Sequence, residues 1–327
     1  MSLGFASAQC GSLSPHLTAR VVRFREGIER RHGCVGSDSL GGCVPARLRR
    51  TGETGRMIAL LQASHLPPTL MVTATATTLA VSAGRGLGSV WVALAVLSGQ
   101  LSVGWSNDYL DRDRDRLAGR DDKPIVAGRV AAKSVAIGAV IAALVCVPLS
   151  MASGWRAGSV HLAAVAVAWI YNGGLKGTVA SVVPYTVAFG LLPSFVTLGL
   201  PGHPWPPAWA TIATALMGTG AHFVNAMPDL GGDAAVGVRG LPHRVGLKVS
   251  LFSAAFLMAM ATAVIAVMPP DGPGLLGGAL VVVAWAAVVA VVVTGLTDRL
   301  RVAWTLTLCV AALNVMVIVT RGRWLVV

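Results

Sequence analysis

The sequence predicts an all-α polytopic membrane protein with nine transmembrane helices. Hydrophobic residues make up 54% of the 327 residues and charged residues only 12%, whereas an ordinary soluble domain carries about a quarter charged residues. From residue 57 onward, apolar stretches of membrane-spanning length alternate with short polar segments. The cationic residues are also distributed unevenly over these polar segments, as expected for a membrane protein with a defined orientation.

The predicted spans are apolar stretches that each end at Gly, Pro or a charged residue. A helix needs about 20 residues to cross the hydrocarbon core, which is longer than most buried helices of soluble proteins. The predicted spans are residues 58–82, 88–106, 132–152, 157–171, 179–200, 207–226, 249–268, 274–294 and 302–320.

The formal charge of +12 is explained by membrane orientation and does not require a nucleic-acid partner. If the N-terminus is cytoplasmic, 22 of the 26 Lys and Arg residues fall on the cytoplasmic side. The four exceptions are Arg85, Arg156, Arg321 and Arg323. We therefore predict a multi-pass protein of the plasma membrane, in contact with membrane lipid, with no obligate protein partner evident.

The N-terminal residues 1–56 differ from the rest of the chain. They contain nine Arg, scattered Gly and Ser, and no apolar run long enough to form a signal peptide. This composition predicts a disordered, Arg-rich extension. The membrane domain is predicted to comprise residues 57–327.

Two segments repeat the same pattern of amide and carboxylate residues. Residues 107–115 and 225–233 both contain Asn-x-x-x-Asp-x-x-x-Asp, and each follows a predicted helix that ends on the same side of the membrane. Positions four residues apart lie on one face of a helix, so each segment can direct several oxygen atoms at one point. The predicted metal ligands are Asn107, Asp108, Asp111, Asp115, Asn225, Asp229 and Asp233.

Such a group of carboxylates favours a divalent cation. The carboxylates would repel one another unless a cation compensated their charge, and ligation by oxygen alone suits Mg²⁺, with Mn²⁺ as an alternative. Mg²⁺ often shares its coordination shell with phosphates, so a diphosphate is the expected ligand. A single Asp-Arg-Asp-Arg run would more simply be a solvated loop, but the repeated spacing favours a metal site.

The two segments and their surroundings resemble the signatures of UbiA-type intramembrane prenyltransferases. The first comprises residues 107–115 with Asp-Lys-Pro-Ile at 122–125, and the second comprises residues 225–233 with Gly-Val-Arg-Gly at 237–240. Tyr171-Asn172 and Leu-Lys-Gly at 175–177 are similar to a third segment of the family. The resemblance implies a nine-helix fold around a lipid-accessible cavity with a polar cytoplasmic cap that holds Mg²⁺ and diphosphate.

The resemblance also implies an activity, which is Mg²⁺-dependent transfer of a prenyl group from an isoprenoid diphosphate to an aromatic or quinoid acceptor. Catalytic roles are expected for Lys176, Tyr171 and Asn172, and diphosphate contacts for Lys176, Arg239, Arg244 and Lys123. Lys123 is equally explained by the positive-inside rule, whereas an interfacial anchor is the less favoured explanation for Tyr171. The chain departs from the family pattern at 62–65, where family members often carry an Arg, and at 234–235, where a Lys or Arg is common.

Two alternative functions remain open from the sequence. A terpene cyclase of the same superfamily would use a prenyl diphosphate without an acceptor. A cation-binding transporter would use the carboxylates for a transported ion, although its acidic residues would be expected nearer the middle of the bilayer.

Overall fold

The computed structural model describes residues 52–227, 230, 237 and 239–326, and in these ranges the chain is helical with no β-strand. The predicted all-α class is therefore confirmed. The α-helices are α1 Glu53–Ala63, α2 Leu66–Ser82, α3 Gly88–Leu117, α4 Ala132–Met151, α5 Trp155–Asn172, α6 Val183–Gly190, α7 Leu192–Thr197, α8 Ala208–Ala226, α9 Leu241–Val267, α10 Gly274–Leu296 and α11 Leu300–Thr320. Three 3₁₀ segments cover Leu175–Gly177, Val179–Val182 and Gly322–Leu325.

Six segments of the described chain are long and apolar enough to cross a membrane. They are Gly88–Leu117, Ala132–Met151, Val179–Thr197, Leu241–Val267, Gly274–Leu296 and Leu300–Thr320. Large apolar side chains such as Leu144, Leu275 and Val282 are exposed on these segments, which suits a surface that contacts lipid. The count of nine spans stays a prediction.

The predicted span 58–82 is two helices, because the chain bends at Ser64 and His65. His65 adopts a left-handed conformation with φ of 53°, and Pro67 and Pro68 occupy the first turn of α2. Proline lacks a backbone N–H and is tolerated only in the first turn of a helix, so α1 could not continue through these positions. Helix α1 begins at Glu53, four residues before the predicted start of the membrane domain. Most of the predicted extension, residues 1–51, lies outside the described residues.

Two other predicted spans differ from the structure because the backbone turns away from α-helical geometry. The predicted span 179–200 consists of a 3₁₀ segment followed by α6 and α7, which meet at Leu191. The predicted span 249–268 begins earlier, at Leu241, and has a kink at Gly246, whose φ of 81° is accessible mainly to glycine.

Helix α3 continues about three turns past its predicted end at residue 106, so the first acidic segment is helical and not a loop. It packs against α2 and α4, while α8 packs against α6 and α9. Gly104 allows α3 to approach the bend at Ser64, because a Cβ there would lie 2.7 Å from the carbonyl carbon of Ser64. The bend between α1 and α2 is thereby held directly beside the acidic segment.

Candidate active site

A cavity of about 390 Å³ lies between the helices that carry the two acidic segments. This volume falls within the usual range for small-molecule sites. Its apolar lining includes Met71, Val72, Val103, Ala168, Ala188, Phe189, Met258, Leu308 and Ala311. Its polar lining includes His65, Gln100, Asn107, Asp111, Asp115, Arg120, Lys123, Tyr171, Asn172, Lys176, Tyr185, His222, Asn225 and His243. The charged residues of the lining belong to the last two turns of α3 and to the segments 118–131 and 173–178.

The spacing of the first acidic segment places three of its residues on one face of α3. Asn107, Asp111 and Asp115 all line the cavity, one helical turn apart. Asn225, in the last turn of α8, lines the same cavity. Asp229 and Asp233, the remaining predicted ligands of the second segment, lie outside the described residues.

Asn172 orients Asn107 within this face. The Asn172 side chain is buried and its Nδ2 donates to the Val103 carbonyl at 2.9 Å and to Ser106 Oγ at 2.8 Å. A carbonyl can only accept, so the amide orientation of Asn172 is fixed and its Oδ1 faces Asn107. Asn107 Nδ2 donates to that oxygen at 3.1 Å. The Oδ1 of Asn107 is consequently left available as a metal ligand.

Asp111 is held by two cations. Lys176, which is only 9% exposed, forms an ion pair with Asp111 Oδ2. Arg114 Nη1 lies 3.3 Å from Asp111 Oδ1, but this contact lacks hydrogen-bond geometry, since Oδ1 accepts no hydrogen bond from the described residues. One carboxylate oxygen of Asp111 therefore retains its capacity to accept a hydrogen bond or bind a metal.

Asp115 forms neither an ion pair nor a hydrogen bond with the described residues, although it lines the cavity one turn beyond Asp111. A half-buried carboxylate without a partner is costly unless a cation compensates its charge. Together with Asp111 and the amide oxygen of Asn107, it offers the oxygen ligands that Mg²⁺ prefers. Within the described ranges no three His, Cys, Asp or Glu side chains form a group that could hold a metal ion.

Asp108, another predicted metal ligand, lies apart from the row of Asn107, Asp111 and Asp115. It follows Asn107 directly and therefore points about 100° away around the helix, and it is not part of the cavity lining. It is 2% exposed, with Oδ1 2.8 Å from Lys123 Nζ and 3.2 Å from His65 Nε2. Asp108 thus positions Lys123 and His65, which do line the cavity.

The outer face of the acidic segment behaves as a solvated charged surface. The exposed Asp113 pairs with Arg112 at 3.1 Å and with Arg116 at 3.3 Å. In the following loop, Arg120 donates from Nε and Nη2 to both oxygens of Asp122, and these hydrogen bonds lower the pKa of Asp122. The Asp-Arg repeat therefore combines a cavity-facing row with an outward row of internal ion pairs.

Two predicted diphosphate contacts are not brought to the cavity. Arg239 and Arg244 are exposed and are not part of the lining. Arg244 Nε donates to the Arg239 carbonyl at 2.8 Å, and α9 begins between these two residues, at Leu241. Lys123 and Lys176, the other two predicted contacts, do line the cavity.

An aromatic group forms one side of the cavity next to the polar residues. Tyr171 packs edge-to-face on Tyr185 at 5.3 Å and on His222 at 5.8 Å between ring centroids. Phe189 stacks against Tyr185 at 6.3 Å. His222 Nε2 lies 3.0 Å from Ser181 Oγ. Tyr171 was predicted at this site, whereas Tyr185 and Phe189 were missed because an aromatic residue in an apolar helix gives no sequence signal of its own.

His65 and Gln100 were also missed. His65 is placed by the bend after α1, and its contact with Asp108 joins residues 43 positions apart. Gln100 could have been found, because it precedes Asn107 by seven residues and therefore lies on the same helical face.

The sequence matches a known protein family over most of its length. A sequence model described as the UbiA prenyltransferase family matches residues 65–315. Digeranylgeranylglyceryl phosphate synthase of Natronomonas pharaonis is 30% identical over 192 residues, which cover 57% of this chain and 66% of that protein. The bacteriochlorophyll synthase 33 kDa chain of Cereibacter sphaeroides is 32% identical over 209 residues, covering 55% and 64%. The matched segments thus span just under two thirds of each relative.

The fold is also similar to that of solved structures. A UbiA homolog from Aeropyrum pernix K1 aligns with a TM-score of 0.61 and 18% identity, covering 77% of this chain and 98% of that chain. A UbiA homolog from Archaeoglobus fulgidus bound to DMAPP and Mg²⁺ aligns with a TM-score of 0.56 and 16% identity, covering 80% and 99%. At these identities the likeness concerns the fold.

Proposed function

Because the chain belongs to the UbiA prenyltransferase family, we propose that it transfers a prenyl group from an isoprenoid diphosphate to an aromatic or quinoid acceptor within the membrane. Mg²⁺ is the proposed cofactor, with Mn²⁺ as a possible substitute. The relatives named above and the DMAPP- and Mg²⁺-bound homolog from Archaeoglobus fulgidus support this assignment.

One observation carries the proposal. Asn107, Asp111 and Asp115 form a row at the polar end of an otherwise largely apolar cavity. A diphosphate needs a cation and positive side chains, whereas a prenyl chain needs an apolar surface, which stabilises it by about 0.8 kcal/mol per buried CH₂. The cavity provides both environments next to each other, and this arrangement suits an amphiphilic donor.

The residues can be assigned roles in the reaction. Asn107, Asp111 and Asp115 would hold Mg²⁺, and Asn225, Asp229 and Asp233 would complete the donor set. When bound, Mg²⁺ supplies positive charge that stabilises the departing diphosphate. Lys176 and Lys123 line the same end of the cavity and would donate hydrogen bonds to diphosphate oxygens as the C–O bond breaks and its electron pair stays on the leaving group.

The aromatic group is placed to accommodate the remaining partners. Tyr171 and Tyr185 present ring faces and edges beside the polar end, where they can stabilise the allylic cation and pack on a flat acceptor. An acceptor atom then donates an electron pair to the prenyl carbon, and the proton that it loses passes to the released diphosphate. The apolar lining excludes water, which would otherwise capture the cation.

The proposed membrane arrangement extends the six described apolar segments to nine spans. The shorter helices α2, α5 and α8 would be the additional spans, and the N-terminus and both acidic segments would face the cytoplasm of a plasma membrane. The positive-inside distribution of Lys and Arg supports this orientation.

The proposal is tested with the purified full chain in detergent and Mg²⁺. Labelled geranyl, farnesyl and geranylgeranyl diphosphates are supplied with a panel of quinoid and aromatic acceptors, and diphosphate release and labelled lipid product are measured. Asp111→Asn should abolish both while the protein still folds. Asp113→Asn is the matched control, because Asp113 lies two residues away on the outer face, and it should retain activity.

Full activity of Asp111→Asn, or equal loss in both variants, would contradict the proposed site. The same assay without acceptor distinguishes the proposed transferase from the two alternatives, the terpene cyclase and the cation-binding transporter. A cyclic hydrocarbon or terpene alcohol formed from the donor alone would identify a terpene cyclase. No diphosphate release with any donor would exclude both enzymes.

A further inference from the structure

Gln100 is a polar side chain in the apolar part of the cavity. It belongs to α3, is half-buried and lines the cavity. It forms no hydrogen bond with any other residue that the structure describes. By contrast, Ser98, two residues earlier in α3, donates from its Oγ to the Ala95 carbonyl at 2.9 Å.

The position of Gln100 along α3 separates it from the charged residues. It precedes Asn107 by seven residues, which is roughly 10 Å along a helix axis at 1.5 Å per residue. Its neighbour Gly99 approaches the side chains of Val165 and His161 in α5, which places this level about two to three turns from Tyr171. Gln100 therefore faces the apolar interior and lies beyond reach of a metal ligated by Asn107.

An amide without a partner is unfavourable in such surroundings. An apolar ligand packed on the half-buried Gln100 would bury its amide without a partner, which costs on the order of 1–3 kcal/mol in proteins. Polar side chains inside membrane helices commonly mark binding sites. An all-hydrocarbon prenyl chain would leave both the donor and the acceptor capacity of Gln100 unused. The arrangement suits a ligand that carries a polar atom at this depth.

The aromatic group indicates the shape of that ligand. Tyr171, Tyr185 and Phe189 form a continuous series of rings, with centroid separations of 5.3 Å and 6.3 Å. Rings arranged in this way pack well against another flat ring. Gln100 lines the same cavity as these rings.

We infer that the Gln100 amide binds a ring oxygen, carbonyl or hydroxyl, of a flat lipophilic acceptor, and so determines acceptor specificity. This inference rests on the proposed function, and it adds to that function the point at which the acceptor is recognised. Gln can donate to a carbonyl and accept from a hydroxyl, so both oxidation states of a quinoid ring satisfy it.

The test compares the binding of two probes that differ in their oxygens. Menadione carries two ring carbonyls, and 2-methylnaphthalene has the same carbon skeleton without them. Dissociation constants are measured by equilibrium dialysis for the full chain in one detergent at fixed micelle concentration. Gln100→Met keeps the length of the side chain and should weaken menadione binding about fivefold to tenfold, the effect of one hydrogen bond, while leaving 2-methylnaphthalene binding unchanged.

Two controls make the result specific. Gln62→Met removes a Gln that binds Arg129 and is not part of the cavity lining, so it should change the affinity for neither probe. Gln100→Leu repeats the test with a second apolar side chain in case Gln100→Met folds poorly.

If a Gln100 variant binds both probes more weakly by the same factor, Gln100 has a packing role and the inference is overturned. Unchanged menadione binding in both Gln100 variants would also overturn it. Diphosphate release by the wild-type protein is measured separately and tests the proposed function. Absence of diphosphate release together with oxygen-dependent probe binding would refute the proposed reaction but not the Gln100 site.

Discussion

Replacing Asn172 by Ala should raise the Mg²⁺ requirement of the protein, because Asn172 orients a proposed ligand without being one. Its amide donates to Val103 and Ser106 and accepts from Asn107. In the Ala variant nothing fixes the Asn107 amide, and its oxygen and nitrogen can exchange places. A nitrogen turned toward the metal would not coordinate it.

The loss of an orienting partner determines the expected change in Mg²⁺ affinity, and the number of lost hydrogen bonds determines the expected loss of stability. Removing a partner that orients a metal ligand typically costs 10-fold to 100-fold in metal affinity. The three lost hydrogen bonds, at about 0.6–1 kcal/mol each within a membrane protein, should also lower the free energy of unfolding by roughly 2–3 kcal/mol. The Mg²⁺ concentration for half-maximal diphosphate release should therefore rise 10-fold to 100-fold.

The assay is a Mg²⁺ titration of diphosphate release by purified wild-type and variant protein, combined with thermal unfolding. Asn314→Ala is the matched control. Asn314 is fully buried and donates to the Met258 carbonyl at 3.0 Å and accepts from Thr262 at 2.6 Å, but it does not line the cavity. It should lose a comparable stability without any change in Mg²⁺ requirement.

An unchanged Mg²⁺ midpoint in Asn172→Ala would refute the orienting role. The same conclusion would follow if Asn314→Ala shifted the midpoint equally, since the effect would then reflect general loss of packing.

Three further outcomes are expected. Asp229→Asn should abolish product formation while the protein still inserts into the membrane normally, and the assay is the one described for Asp111→Asn. Full activity of this variant would contradict a second ligand segment. Lys176→Gln should lower the maximal rate about 10²-fold to 10³-fold, which is the effect of losing one preorganised donor. The rate is measured in single-turnover assays at saturating Mg²⁺, and an unchanged rate would exclude the diphosphate contact. Gly104→Ala should destabilise the protein by about 1–3 kcal/mol because its methyl group meets the Ser64 carbonyl. Gly278→Ala should be neutral in the same thermal unfolding experiment, because its methyl group would only come into ordinary van der Waals contact with Pro273 at 4.0 Å.

The cavity-facing row was predictable from the sequence because it depends on local geometry. A spacing of four residues places side chains on one helical face wherever the helix lies, and Asn107, Asp111 and Asp115 indeed share the cavity lining. The same geometry separates Asp108 from this row, because Asp108 follows Asn107 directly and points about 100° away around the helix. The all-α fold class was likewise predictable, because an apolar stretch long enough to span a membrane has few alternatives to a helix.

Contacts between distant segments could not be predicted in the same way. Pro67 and Pro68 indicate that α1 ends near His65, but no local pattern encodes the close approach between Ser64 and Gly104 that places this bend beside α3. Lys123 is 15 residues from Asp108 along the chain, and its loop conformation brings them together. The sequence also predicted diphosphate contacts for Arg239 and Arg244, but the structure leaves both exposed and outside the cavity lining.

The direction of the helices around the cavity affects the order in which ligands bind. Asp115, Asn172 and Asn225 each lie in the last turn of their helix, so three carboxyl-terminal helix ends contribute partial negative charge to the carboxylates there. A bare diphosphate should be repelled by this potential, whereas a divalent cation should be attracted. Donor binding is therefore expected to be ordered, with the cation arriving first or in complex with the diphosphate.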